Sequence, residues 1–159
     1  MSRRRRPGPE HDTSRDSAVH LSHEPVLYAE ALAELAPRSG GRYVDGTVGA
    51  GGHAKGILER SAPDGRLLGI DRDDQALALA QATLAGFGDR LTLVQGDAAN
   101  IAVIARQAGF APADGILLDV GVSSMQLEAA ERGFSFLHDG PLDMRMDRRS
   151  AVTAASLVI

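Results

Sequence analysis

Four short strand-like runs, at residues 42–48, 66–70, 91–94 and 116–118, each carry an acidic or glycine-rich element within or just after them. Those elements are Asp45 with Gly46, Asp71, Gly96 with Asp97, and Asp119 with Gly121. Between the runs lie stretches with helical spacing at 53–60, 74–84 and 101–108. A further one at 25–35 places Val26, Leu27, Ala31, Leu32 and Leu35 on one face and is stopped by Pro37. Runs this continuously apolar belong to strands covered on both faces, as in a parallel sheet. Strict alternation with helices then predicts an α/β fold, the first four strands of a doubly wound, Rossmann-like sheet. In that architecture ligands bind beyond the carboxyl ends of the strands, where the strand order reverses. The polar closing residues all fall at those ends.

Composition narrows the class further. The 159 residues are 43% apolar and 24% charged, which suits one soluble domain. No stretch approaches the roughly 20 apolar residues of a membrane span, and the N-terminal arginines are not followed by the apolar segment of a signal peptide. The absence of cysteine excludes disulfides and thiolate chemistry, and a cytoplasmic location is expected. His53 and His138 lack partners at helical spacing, so no metal site is expected. The net charge is −4, but residues 1–20 carry five arginines against Glu10, Asp12 and Asp16, a local +2 that leaves −6 for the rest. Residues 1–20 read as a disordered basic tail. A nucleic-acid contact would therefore be local, through that tail or through Arg145, Arg148 and Arg149.

The glycine turn after the first run, Gly49, Ala50, Gly51, Gly52, His53 and Ala54, satisfies the loose dinucleotide fingerprint. Such a turn lets backbone approach a ligand and leaves N–H groups free at the next helix. Asp71, 22 residues beyond Gly49, is placed to accept both ribose hydroxyls of an adenine nucleoside. Asp97 could accept from the adenine amine. Acids at the ends of three successive strands favour a nucleoside with a cationic tail, whereas Asp45 beside the glycine turn would repel a pyrophosphate. The alternatives are thus a methyl donor or a dinucleotide, with the acids on the side of the former. Ser123 and Ser124 sit in no nucleophile elbow. Phe134 and Phe136, with acids and arginines through Asp147, could stack on a base and hold phosphates.

Several segments together resemble the bacterial 16S rRNA (cytosine-N4)-methyltransferase family. They are His23 to Leu27, Tyr43 to His53, Gly69 to Asp73, Asp114 to Ser124 and Glu131 to Asp147. The strings Arg132-Gly133-Phe134-Ser135-Phe136 and Gly140 to Asp147 are the most specific. The resemblance implies a class I fold that transfers methyl from S-adenosylmethionine to N4 of a decoding-region cytidine in 16S rRNA of the small ribosomal subunit. It also implies donor contacts at Gly51, Gly52, His53, Asp71, Ala98, Asp119 and Gln126, with Asp97 adjoining. Two positions depart from the family: Ala98 stands where an aromatic is usual, and Met125 where proline is usual. The amine of cytosine is a weak nucleophile, so an acceptor oxygen is expected to take its proton, with Asp119 and Asp143 the candidates.

Members of that family are about twice this length and insert a helical substrate domain after the fourth strand. On that comparison residues 21–150 correspond to the first half of the catalytic domain and 151–159 to the start of the insert. The expectation is of a truncated sheet. Two other readings stay open: a nucleotide-dependent oxidoreductase, and a non-catalytic truncated remnant.

Overall fold

The computed structural model describes residues 25–158, so the expected basic tail, His23 and Glu24 lie outside the described residues. Four parallel strands form one sheet in the order β3-β2-β1-β4. They are β1 (Arg42–Asp45), β2 (Arg66–Asp71), β3 (Leu91–Gln95) and β4 (Gly115–Leu117). β1 is central, with Val44 opposite Leu68 on one side and Ile116 on the other. The helices are α1 (Tyr28–Leu35), α2 (Gly52–Arg60), α3 (Asp74–Thr83), α4 (Ile101–Gln107) and α5 (Ser124–Glu128).

Alternate side chains of a strand point to opposite faces, and the core divides accordingly. Tyr43 and Leu67 face Leu32, Ala54, Ile57, Leu58, Ala80 and Leu84, the apolar sides of α1, α2 and α3. Val44, Leu68 and Ile70 face Ala105 and Phe110 on the other side, beneath α4. Helices on both faces make this a doubly wound sheet, as the apolar runs predict. The cover is uneven, however. β4 pairs with β1 alone, and Ile116 and Leu118 are each about half exposed (54% and 52%). The last described segment is irregular apart from a single 3-10 turn at Ala155–Leu157.

Two local devices shape the strand ends. The turn from β1 into α2 needs left-handed backbone at Gly49 (φ 53°) and Gly51 (φ 92°), which only glycine adopts at no steric cost. At the start of α3, Asp73 is the N-cap and its carboxylate accepts the Gln75 N–H.

Candidate functional site

Strand order runs β1 to β2 to β3 in one direction, and β4 lies on the opposite side of β1. The chain therefore switches direction beside β1, and a cavity of about 430 Å³ opens there at the carboxyl ends of the strands. Every strand contributes to its wall: Gly46, Thr47 and Gly49 after β1, Asp71 and Arg72 at β2, Asp97 and Ala98 after β3, and Asp119 to Ser123 after β4. Gln126, Ala76, Val26 and Met146 complete the lining. The volume lies within the range typical of small-molecule sites.

The turn and the acids are wired together. The Gly49 N–H donates to Asp71 Oδ2 (2.9 Å) and the Asp73 N–H to Asp71 Oδ1 (2.9 Å). Each Asp71 oxygen keeps a further lone pair for a ligand. The Asp119 N–H donates to Thr47 Oγ1 (2.7 Å), fixing the β4 end to the β1 turn. Asp97 accepts from the Ala99 N–H (2.9 Å) and faces Arg72 at 3.7 Å. Asp119 is about half exposed, with its Oδ2 3.9 Å from Nδ1 of the buried His53. That separation is too long for a hydrogen bond. The His53 ring stacks on Tyr28 (5.8 Å between centroids), and its Nε2 has no hydrogen-bond partner among the described residues.

Behind this wall lies Asp45, 1% exposed, whose Oδ1 accepts the Thr47 N–H at 3.1 Å. Burial, with a smaller push from the charges of Asp71 and Asp119, raises its carboxyl from 3.8 to about 7 against the Thr47 hydrogen bond. Three carboxylates in the lining against one cation, Arg72, make the cavity electronegative. It suits a ligand with positive charge and hydroxyl or amine donors.

Among the residues singled out in the sequence, Asp71, Asp97, Ala98, Asp119 and Gln126 are brought together around the cavity. Gly51 is the N-cap of α2, and Gly52 and His53 form its first turn, next to the wall rather than in its lining. Gln126 is buried, and its amide is engaged at both ends: Oε1 accepts the Ser123 N–H (3.0 Å) and Nε2 donates to Asp73 Oδ2 (3.0 Å). Asp143 lies off the wall. Arg145 grips it with Nε at 2.8 Å and Nη2 at 2.7 Å, and these bonds hold its carboxyl down at about 2. The two phenylalanines part company, for Phe134 is buried (7%) while Phe136 is fully exposed. Among the described residues, no group of three or more His, Cys, Asp or Glu side chains could hold a metal ion, and no helix is long and apolar enough to cross a membrane.

Sequence reasoning missed Asp73 and Arg132, whose side chains meet in the interior at 2.7 Å. It also missed α5, although Ser123 and Gln126 have the Ser-x-x-Gln spacing of a capping box, and that box is formed.

A family model described as the MraW methylase family matches residues 20–159. The ribosomal RNA small subunit methyltransferase H of Symbiobacterium thermophilum is 56% identical over 136 residues, covering 86% of this chain and 43% of that protein. The protein of the same name from Geotalea daltonii is 58% identical over 138 residues, covering 87% of this chain and 44% of its own length. The chain thus spans less than half the length of these curated relatives. A crystal structure of a candidate rRNA-methylase from Clostridium thermocellum superposes with a TM-score of 0.50 at 23% identity, over 62% of this chain and 55% of that one. The fold is that of the Rossmann-like S-adenosylmethionine-dependent methyltransferases.

Proposed function

We propose, starting from the fact that this chain belongs to the MraW methylase family, that its strand-end cavity binds S-adenosylmethionine for methylation of small-subunit ribosomal RNA. The finer reading is transfer to N4 of a cytidine in the decoding region of 16S rRNA, in the cytoplasm. The observation that carries the proposal is the electronegative cavity at the strand-order switch, with Asp71, Asp97 and Asp119 in one wall. When bound, S-adenosylmethionine supplies a methyl group already activated by its sulfonium.

The residues fit that ligand. Asp71 has spare lone pairs for two ribose hydroxyls, held in place by the Gly49 and Asp73 N–H groups. Asp97 and Ala98 line the same cavity, and the Asp97 carboxylate can accept from an adenine amine. The Gly51 N–H closes the turn on the Val48 carbonyl (2.9 Å). Those of Gly52 and His53, in the first turn of α2, have no partner within the helix and can meet a carboxylate. Gln126 is held by Asp73 and the Ser123 turn at the edge of the cavity it lines, with a second amide N–H and a second carbonyl lone pair in hand.

Between the two acids considered for the amine proton, geometry favours Asp119. It is half exposed in the cavity wall, whereas Asp143 is gripped by Arg145 and is too weak a base. Asp119 would accept an N4 proton as the carbon–nitrogen bond forms and the methyl–sulfur bond breaks, with S-adenosylhomocysteine as the leaving group, drawing the amine lone pair out of the ring. Phe136 is the aromatic free to stack on an unpaired base. Calorimetry on this chain should show S-adenosylhomocysteine binding and NAD not competing. Tighter binding of NAD would overturn the donor assignment. With the complete gene product, tritiated methyl should appear in N4-methylcytidine after nuclease digestion of small-subunit RNA, and Asp119→Asn should lower kcat far more than Asp143→Asn.

A further inference from the structure

The guanidinium of Arg132 is 4% exposed and does not line the cavity, yet it is bonded to several of the cavity's supports. Its Nη2 donates to Asp73 Oδ2 at 2.7 Å and to the carbonyls of Arg145 (3.0 Å) and Met146 (3.2 Å). Its Nη1 donates to Gln75 Oε1 at 2.9 Å. The Met144 N–H returns to the Arg132 carbonyl at 3.0 Å. Asp73 in turn holds Asp71 through its N–H and Gln126 through its carboxylate. One buried cation therefore joins the β2 end, the Ser123–Gln126 turn and segment 144–146.

Segment 144–146 matters because Met146 and Arg72 belong to two cavities at once. They line the donor cavity and also a neighbouring one of about 340 Å³, formed with Met144, Arg145, Asp147, Ser150 and Val152. A displacement of segment 144–146 moves the partition between the two. From this we propose that Arg132 is a positioning residue: it locks the partition to the Asp71–Asp73 turn, so that donor site and neighbouring pocket keep one mutual alignment. The proposal rests on the donor-site reading given above.

The chemistry requires an arginine. A guanidinium directs donors along several lines in one plane and can serve Asp73, Gln75 and two carbonyls together; an ammonium on a lysine stem is a point charge that cannot. A buried ion pair is also costly to create and leaves a bare charge when one partner is lost. Arg132→Met alone would strand Asp73, so it is paired with Asp73→Asn.

The test compares the wild-type chain, Arg132→Lys and the Asp73→Asn/Arg132→Met pair, each held well below its melting temperature. Amide hydrogen exchange is followed without ligand, and S-adenosylhomocysteine affinity by calorimetry. Both variants should exchange faster in peptides covering 70–76 and 143–147 together, while core peptides of β1 and α2 stay protected. Affinity should fall by about tenfold in the charge-free pair, from ordering lost before binding, and by less in Arg132→Lys. Faster exchange confined to 143–147, or wild-type exchange in both peptides, overturns the proposal. Unchanged affinity in the charge-free pair overturns it too. If wild type binds no S-adenosylhomocysteine, the donor reading fails, and the joint exchange of the two peptides still decides the role of Arg132.

Discussion

Replacing Asp45 by asparagine isolates a destabilising charge that the fold carries under its strand-end cavity. In the unfolded chain this carboxyl ionises near 3.8; in the folded protein burial raises it to about 7. Between those values the folded state holds a proton that the unfolded chain has released, so stability must fall as pH rises through that window. Three pKa units at 1.36 kcal/mol each amount to roughly 4 kcal/mol, absent below about pH 4 and fully developed above about pH 7. An asparagine amide in this place would keep an oxygen for the Thr47 N–H and carry no charge. Asp45→Asn should therefore match wild type within about 1 kcal/mol at pH 4.5 and exceed it by several at pH 8. Urea unfolding at pH 4.5, 6 and 8 measures this. Asp143 and Asp147, held at about 2 by their arginines, lose their contributions at lower pH and do so equally in both proteins, so the difference cancels them. A difference that is flat with pH would show that water reaches Asp45 and that its neighbours do not trap the proton.

Two further outcomes follow from the same wiring. Asp71→Ala should weaken S-adenosylhomocysteine binding by about 1.5–3 kcal/mol by calorimetry, and should also cost about 1–3 kcal/mol of stability, because the Gly49 and Asp73 N–H groups lose their acceptor. An unchanged melt and unchanged affinity would reduce Asp71 to a surface acid. Gly133→Ala puts a side chain at φ 72° and drives its Cβ into the Pro141 carbonyl, so limited proteolysis between 134 and 147 should quicken at a cost of about 1–3 kcal/mol. Wild-type resistance would mean that this loop repacks freely.

The elements were legible because their signals are local. Apolar runs at 66–70 and 91–94 became β2 and β3 within a residue at each end, and the alanine-rich stretch after Asp73 became α3. The acids at the strand ends were legible for the same reason, since parallel strands deliver their carboxyl ends to one side whatever the helices do. What composition could not convey was the state of those acids. Asp45 and Asp119 both close strands of one sheet, yet one is sealed and the other half exposed, because Asp45 ends the central strand and Asp119 follows the edge strand β4. Phe134 and Phe136 likewise differ by two positions in sequence and by full burial in space.

The buried Arg132–Asp73 pair was illegible for a different reason, one that bears on how the site is built. The partners are 59 residues apart, on segments that no periodicity relates, and the chain offers 21 acids and 17 basic residues as candidates. In sequence Arg132 lies in the same irregular stretch as Arg145, Arg148 and Arg149, where arginines are expected to hold phosphates. Those three stay at the surface or clamp their own loop, while Arg132 alone turns inward. A charge is drawn inside only where other groups share its desolvation, and here they include Gln75, Gln126 and two main-chain carbonyls. Burial pushes the Asp73 carboxyl up, yet the hydrogen bonds from Arg132, Gln126 and Gln75 outweigh it and hold the group below the ordinary carboxylate range. Asp73 is therefore a carboxylate at neutral pH. Segments 71–75, 123–126 and 144–146 meet through that one interaction, so the wall of the strand-end cavity is assembled from three distant stretches whose common point lies outside the cavity itself.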